Sequence, residues 1–207
     1  KDAARECRDM VKALHRAGIE IVLEMPFDTG VSKLLIEECL RYYRLEYHID
    51  GFILNPLIAP MEAVNSDPIL KQSRILTHNE EFQTAMRRFL KGDEGMVNEV
   101  MYRLNHHTKE HQNTIAVHNG FTLQDLVSYD VKHNEGNGED NRDGTDYNYS
   151  WNCGAEGPSR KKAVCELRTS QMRNAMFLLL FAQGTPCLLA GDEFGKSQKG
   201  NNTAYCQ

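Results

Sequence analysis

Several short apolar runs in this chain end on polar side chains that could do chemistry. "IDGFIL" (49–54) stops at Asn55, just before Pro56. "SRIL" (73–76) is followed by Thr77 and His78, and "TIAV" (114–117) by His118 and Asn119. "PCLLA" (186–190) leads through Gly191 to Asp192 and Glu193. A residue just past a buried strand, where the chain must leave the sheet, is well placed to face a ligand. Asp192 and Glu193 are the best placed carboxylates of this set. Asn55 is an amide, with no anionic oxygen for a covalent attack.

These positions need elements to hold them. Apolar residues at helical spacing predict helices over 3–17 (Cys7, Met10, Val11, Leu14, Ala17 inward) and 31–47 (Val31, Leu34, Leu35, Leu40 inward, Tyr42, Tyr43 and Tyr47 at its end). Asn79 caps a helix with Phe82, Ala85, Met86 and Phe89 inward. Asp93 caps the next, with Met96, Val97, Val100, Met101 and Leu104 inward. Thr122 and Asp125 make a capping box, and a long helix runs from about Ser159 to Gln183. Strand-like runs at 19–23, 49–54, 73–76, 114–117 and 186–190 alternate with the helices, the pattern of an α/β protein with a parallel sheet. A (β/α) barrel and an open doubly wound sheet both fit. No GxGxxG or P-loop follows a strand, against a nucleotide site. Five or six strands are readable, too few for an eight-stranded barrel, which takes about 250 residues. The long polar loop over about 132–159 carries Trp151, which should pin it to the body.

A net charge of −5 and a pI near 5.9 give no electrostatic reason to expect nucleic acid or an anionic membrane surface. No run is long enough to span a membrane, and the N-terminal residues lack the apolar core of a signal peptide. The cysteines at 7, 39, 153, 165, 187 and 206 show no CxxC spacing. Cys7, Cys39, Cys165 and Cys187 fall in apolar patterns and read as buried free thiols, so a reducing cytoplasm is expected. His106, His107 and His111 lie at a helix end and loop, the context of a solvated cluster rather than a metal site. No cofactor is implied.

From "AVHNGFTLQDLVSYDVKHNEGNGEDNRDGTDYNYSWNCGAEGPSRKK" and "GTPCLLAGDEFG" onward the chain resembles the alpha-amylase superfamily, glycoside hydrolase family 13, in its isoamylase and glycogen-debranching branch. "MVKALHRAGIEIVLEM" resembles that branch's second helix and third strand, and "YRLEYHIDGFIL" its fourth strand. The resemblance implies a single truncated domain over 1–207, a partial (β/α)8 barrel of the TIM type lacking the family's first two strands. It also implies retaining cleavage of α-1,6 branch points by a carboxylate nucleophile and a carboxylic acid about 5–5.5 Å apart.

Position by position, that chemistry is missing. The family's fourth strand ends Asp-Gly-Phe-Arg-Phe-Asp; here Asp50-Gly51-Phe52-Ile53-Leu54-Asn55 puts Ile53 at the Arg position and Asn55 at the nucleophile. A buried Arg without its carboxylate would be an unpaired charge, and an aliphatic residue relieves that. His118-Asn119 replaces the family's His-Asp, and Asp28-Thr29 its Asn-His. The segment of the general acid is absent near His78, and so is the insertion after the third strand. The resemblance therefore implies a protein of glucan metabolism without hydrolytic activity, which binds glycogen- or starch-like α-glucan or partners an active debranching paralogue. His118, Phe52, Asn134, Glu135, Asp192 and Glu193 are the candidates for glucan contact. The alternative is an active glycosidase or glucanotransferase with displaced carboxylates drawn from Glu80, Glu81, Asp192 and Glu193.

Overall fold

A computed structural model describes residues 2–106 and 111–205. Helices and parallel strands alternate within two compact units, Lys1–His78 and Asn79–Gln207. The first unit runs α1 (Ala3–Arg16), β1 (Val22–Glu24), α2 (Lys33–Glu46), β2 (Gly51–Ile53), α3 (Met61–Ser66) and β3 (Arg74–His78). The second holds α4 (Glu80–Lys91), α5 (Val97–Asn105), β4 (His111–Asn113), α6 (Leu123–Leu126), α7 (Lys162–Phe181) and β5 (Thr185–Pro186).

In the first unit the local signals act as read. Asp2 caps α1 by accepting the Arg5 N–H, and Ser32 caps α2 by accepting that of Leu35, each at 3.2 Å. β1, β2 and β3 pair in parallel, with Glu24 opposite Ile53 and Ile53 opposite Leu76. Val11, Ile36, Leu40, Phe52, Val64 and Leu70 form the core against one face of these strands. Gly51 is required where β2 meets β3. A Cβ there would stand 2.8 Å from the Arg74 carbonyl oxygen and 2.9 Å from its Cβ. Asp50 clasps the start of the sheet: Oδ2 accepts the Ile21 N–H at 2.8 Å and sits 2.7 Å from His15 Nε2, while Oδ1 is 4.0 Å from Arg44.

The second unit packs Phe82, Met86, Val100, Ile115, Phe121, Leu126, Ala175 and Leu179 into one core beside the parallel pair β4–β5. Asn79 caps α4 through the Phe82 N–H (3.1 Å), and Gly92, at φ 95°, ends it. The long loop is tied to α7 by Arg168, only 6% exposed. Its guanidinium donates to the carbonyls of Gly157 (2.7 Å), Asn152 (2.9 Å), Ser128 (3.4 Å) and Ala155. Glu156 accepts the N–H groups of Asp130 and Val131 and the Asn152 amide. Burial pushes its carboxyl upward, but those donors together hold it below the usual carboxylate range.

Several expectations shift. The run 114–117 is buried but is not a strand; β4 lies just before it. The Thr114 hydroxyl donates to the Ala116 carbonyl at 2.6 Å and bends the chain. The Ile115 carbonyl accepts from the buried Arg87 Nε at 2.7 Å rather than from a neighbouring strand. Burial pushes that guanidinium down to about 10. On α2 the buried stripe is Ile36–Leu40 with Tyr43 and Tyr47 alongside, so Leu34 and Leu35 fall on the flank and are exposed, as is Tyr42. Met10, Phe89, Val97 and Met101, expected inward, are exposed too. Asp93 does not cap α5, because it pairs with Arg88 at 2.8 Å and Lys91 at 3.6 Å. Half of the capping box forms. Asp125 N–H donates to Thr122 Oγ1, whereas the Asp125 carboxylate turns to Ser197 Oγ (2.6 Å) and the Gln198 N–H (2.7 Å). Cys165 is exposed, and Cys7, Cys39, Cys153 and Cys165 form no disulfide; Cys206 and His107 lie outside the described residues. No described helix is long and apolar enough to cross a membrane.

Two stability measurements test these assignments. Gly51→Ala should lower the free energy of unfolding in urea by about 1–3 kcal/mol, since the close approach of β2 to β3 must open. Arg168→Met keeps the aliphatic stem but strands four carbonyls. It should lose roughly 3 kcal/mol, with early proteolytic nicking between 128 and 157.

Candidate functional site

β2 delivers Asn55 to the end of the sheet in the first unit, and its side chain is spent on the chain itself. Oδ1 accepts the Leu57 N–H at 3.0 Å in an Asx turn, while its backbone carbonyl accepts the N–H groups of Ile58 and Ala59. An amide can hold this turn, but it supplies no nucleophile. Ile53, two residues earlier on the same face, is half-buried. The register places it beside Glu24 of β1. Glu24 Oε1 lies 2.7 Å from Nε2 of His78, at the end of β3, an ion pair whenever the imidazole is protonated. The face at position 53 thus holds an aliphatic side chain, and Glu24 finds a partner on another strand. Phe52 alternates to the opposite face and is fully buried in the core. It has no surface to offer a sugar, so its expected contact role does not hold.

The connections after β1 and β3 are short. After β3 only Asn79 intervenes before α4, and residues 25–32 connect β1 to α2. Asp28 and Thr29 are exposed within that connection.

In the second unit His118 and Asn119 sit exposed on a turn. Asn134, expected at a glucan groove, is fully buried. Its amide donates to the Asp143 carbonyl and to Asn202 Oδ1, each at 2.9 Å, and its Oδ1 accepts the Asn202 N–H at 3.0 Å. Asn202 in turn donates to Asn148 and to the Thr145 carbonyl. That network is a structural knot with nothing left for a ligand, so the expected role of Asn134 fails for the same reason as that of Phe52. Glu135 points to solvent, 3.9 Å from His133.

Asp192 and Glu193 occupy a short 3-10 turn after β5. Asp192, 8% exposed, accepts the Leu123 N–H at 3.0 Å at the start of α6. Burial, helped by the nearby Glu193 and Asp125 carboxylates, pushes its carboxyl up to about 6. Glu193 is exposed and accepts the Gly191 N–H at 2.7 Å. No cluster of three metal-ligating side chains occurs among the described residues.

One feature of this unit gave no signal in the sequence. An open groove of about 520 Å3 lies between the end of α4, the middle of α7 and Trp151. Phe89, expected in the core, stands on its wall.

No family model matches the chain. Known proteins do. It is 30% identical over 295 residues to the glycogen operon protein GlgX homolog of Mycobacterium tuberculosis (strain ATCC 25618 / H37Rv), taking in 99% of this chain and 41% of that protein. It is 31% identical to isoamylase 3, chloroplastic, of Oryza sativa subsp. japonica (98% and 38%) and 32% identical to a glycogen debranching enzyme of Serratia proteamaculans (98% and 44%). The chain is a homologue of the isoamylases and glycogen-debranching enzymes. A crystal structure of pullulanase type I from Bacillus subtilis, complexed with maltose, superposes with a TM-score of 0.58 over 96% of this chain and 37% of its own, at 17% identity. The fold is accordingly α/β, a part of a TIM-type barrel. The chain spans about two fifths of the length of these curated relatives. The match to the mycobacterial protein runs over 295 residues against 207 here, a difference of 88. Such a difference accords with the short connections after β1 and β3.

The buried carboxyl of Asp192 sets a pH dependence. Its folded pKa of about 6 lies above the model-peptide value, so the folded protein holds this proton more tightly than the unfolded chain. Stability from this group is fully present below about pH 4 and falls as pH rises to about 6, by roughly 3 kcal/mol in all. Asp192→Asn, which can still accept the Leu123 N–H, should remove that slope from urea midpoints between pH 4 and 7.

Proposed function

We propose that this chain is a debranching-enzyme homologue that binds α-glucan without cleaving it, either alone or beside an active debranching paralogue. The observation that carries the reading is Asn55. The side chain at the family's nucleophile position is an amide closing an Asx turn, on a face where Ile53 has replaced the cation. Supporting it, β3 passes through one residue into α4, leaving no segment to bring an acid over a glycosidic bond. Retaining hydrolysis needs both groups about 5–5.5 Å apart. Asn119 repeats the exchange of carboxylate for amide in the second unit. Glycogen in the names of relatives and maltose on the pullulanase give the ligand class. His118, Glu135 and Glu193, exposed on the second unit, are the contacts that remain for it.

One observation favours a second reading. Asp192 holds its proton up to about pH 6, as a general acid would, so a displaced carboxylate pair built on Asp192 and Glu193 is the active-enzyme alternative.

Reducing-end release from glycogen and pullulan by the full reading frame, beside an authentic debranching enzyme, separates the two. We expect no release, and none from Asn55→Asp, since restoring one carboxylate leaves the acid and the Arg position unfilled. Glycogen should still retard the protein in affinity electrophoresis. Release that disappears in Asp192→Asn or Glu193→Gln but persists in Asn55→Ala would overturn the proposal in favour of the second reading.

A further inference from the structure

The groove between α4, α7 and Trp151 has the chemistry of a sugar-binding surface, and it involves none of the positions offered above for catalysis or glucan contact. Its volume of about 520 Å3 falls within the range of small-ligand sites, about 300–1,000 Å3. Three aromatic rings line it, from Phe89 near the end of α4, Phe177 on α7 and Trp151 in the loop. Three polar side chains, Lys91, Gln171 and Asn174, line it with them. Phe89 and Phe177 are 39% and 59% exposed. Phe181 stacks on Phe177 at 4.3 Å and 24°, which fixes the plane of that ring. Trp151 is held by its backbone N–H, which donates to the Leu126 carbonyl at 2.9 Å. Gly92 ends α4 in a left-handed turn with nothing within 4 Å of where a Cβ would stand, which leaves that end of the groove open.

The charge of the groove selects the ligand. Its cation, Lys91, lies 3.6 Å from the Asp93 carboxylate, which Arg88 also holds at 2.8 Å; one partly paired ammonium is not the cluster of cations that a phosphate or an acidic peptide needs. Gln171 is fixed by donating to the Leu90 carbonyl (2.9 Å) and accepting from Asn174 (3.1 Å), a relay that orients the Asn174 amide at the groove. Rigid rings beside oriented neutral amides suit a ligand with apolar faces and a rim of hydroxyls. We propose that this groove binds a linear α-glucan segment, its pyranose faces stacked on Phe177 and Trp151 and its hydroxyls on Asn174. The choice of an α-glucan over other neutral sugars rests on the glucan-binding reading above.

The protein has a single tryptophan, and it lines this groove, so ligand entry can be read directly. Maltoheptaose titrated into the full protein should give a saturable change in Trp151 emission that is insensitive to salt. Phe177→Ala and Asn174→Ala should each weaken binding at least fivefold, with melting temperatures close to wild type. Leu180→Ala, an exposed apolar residue on the same helix outside the groove lining, should leave it unchanged. If wild type binds glycogen by affinity electrophoresis but its emission does not move, or if the Phe177 and Asn174 variants bind as wild type does, the groove is not a glucan site while the proposed function stands. Absence of any glucan binding by wild type overturns both. Tighter binding of cellohexaose than of maltoheptaose overturns the choice of ligand. Groove variants that alter the oligomeric state without altering glucan affinity would mark a protein contact and overturn the proposal.

Discussion

A single buried cation organises the longest irregular segment of this protein. Arg168 projects from α7 into the loop and meets carbonyls from residues 128, 152, 155 and 157, with no carboxylate among its hydrogen-bond acceptors. Carbonyls in a loop without ladder partners must find donors when buried, and one planar guanidinium satisfies several at once without adding a second charge. Once those points converge, Glu156 gathers the N–H groups on the other side. The loop then needs little apolar packing of its own. The groove depends on this arrangement as well, because Trp151 lies next to one of the carbonyls that Arg168 holds.

Asp50 does the complementary task in the first unit. A carboxylate at the start of a strand accepts an N–H from the neighbouring strand and pairs with side chains from α1 and α2, setting helix against sheet before any apolar packing is counted. Its neighbour Gly51 removes the side chain that would keep β2 from β3. Both are occupied by structure. The same holds at the far end of β2, where Asn55 is engaged in its own turn. At Asp50 and Asn55 the polar side chain is spent on architecture.

How much of this was legible follows from which signals are local. Asn79, Ser32, Asp2 and Thr122 cap helices because a side-chain oxygen reaches an N–H two or three residues on, a matter of short sequence distance. The alternation of strand and helix was readable for a similar reason. Misreadings arose where the deciding partner is remote. The run 114–117 is apolar and buried, as a strand would be, yet Arg87, 28 residues earlier, takes the carbonyl a neighbouring strand would have taken. Asn134 has the polarity of a groove residue and is consumed by Asn202, 68 residues later. Asp93 stands where a cap would stand and pairs backward with Arg88.

The sequence by itself determined the homology, the parallel α/β arrangement and the chemical identity of the strand ends, including the amides Asn55 and Asn119. Those are statements about residue type and order, which the chain states outright. Only the tertiary structure decided which polar side chains are spent and which remain. It closed off Phe52 and Asn134, raised the carboxyl of Asp192 by burying it, and brought Phe89, Trp151 and Phe177 to one groove from three distant segments. Burial and long-range hydrogen bonds depend on what lies across the fold, and no spacing along the chain encodes that.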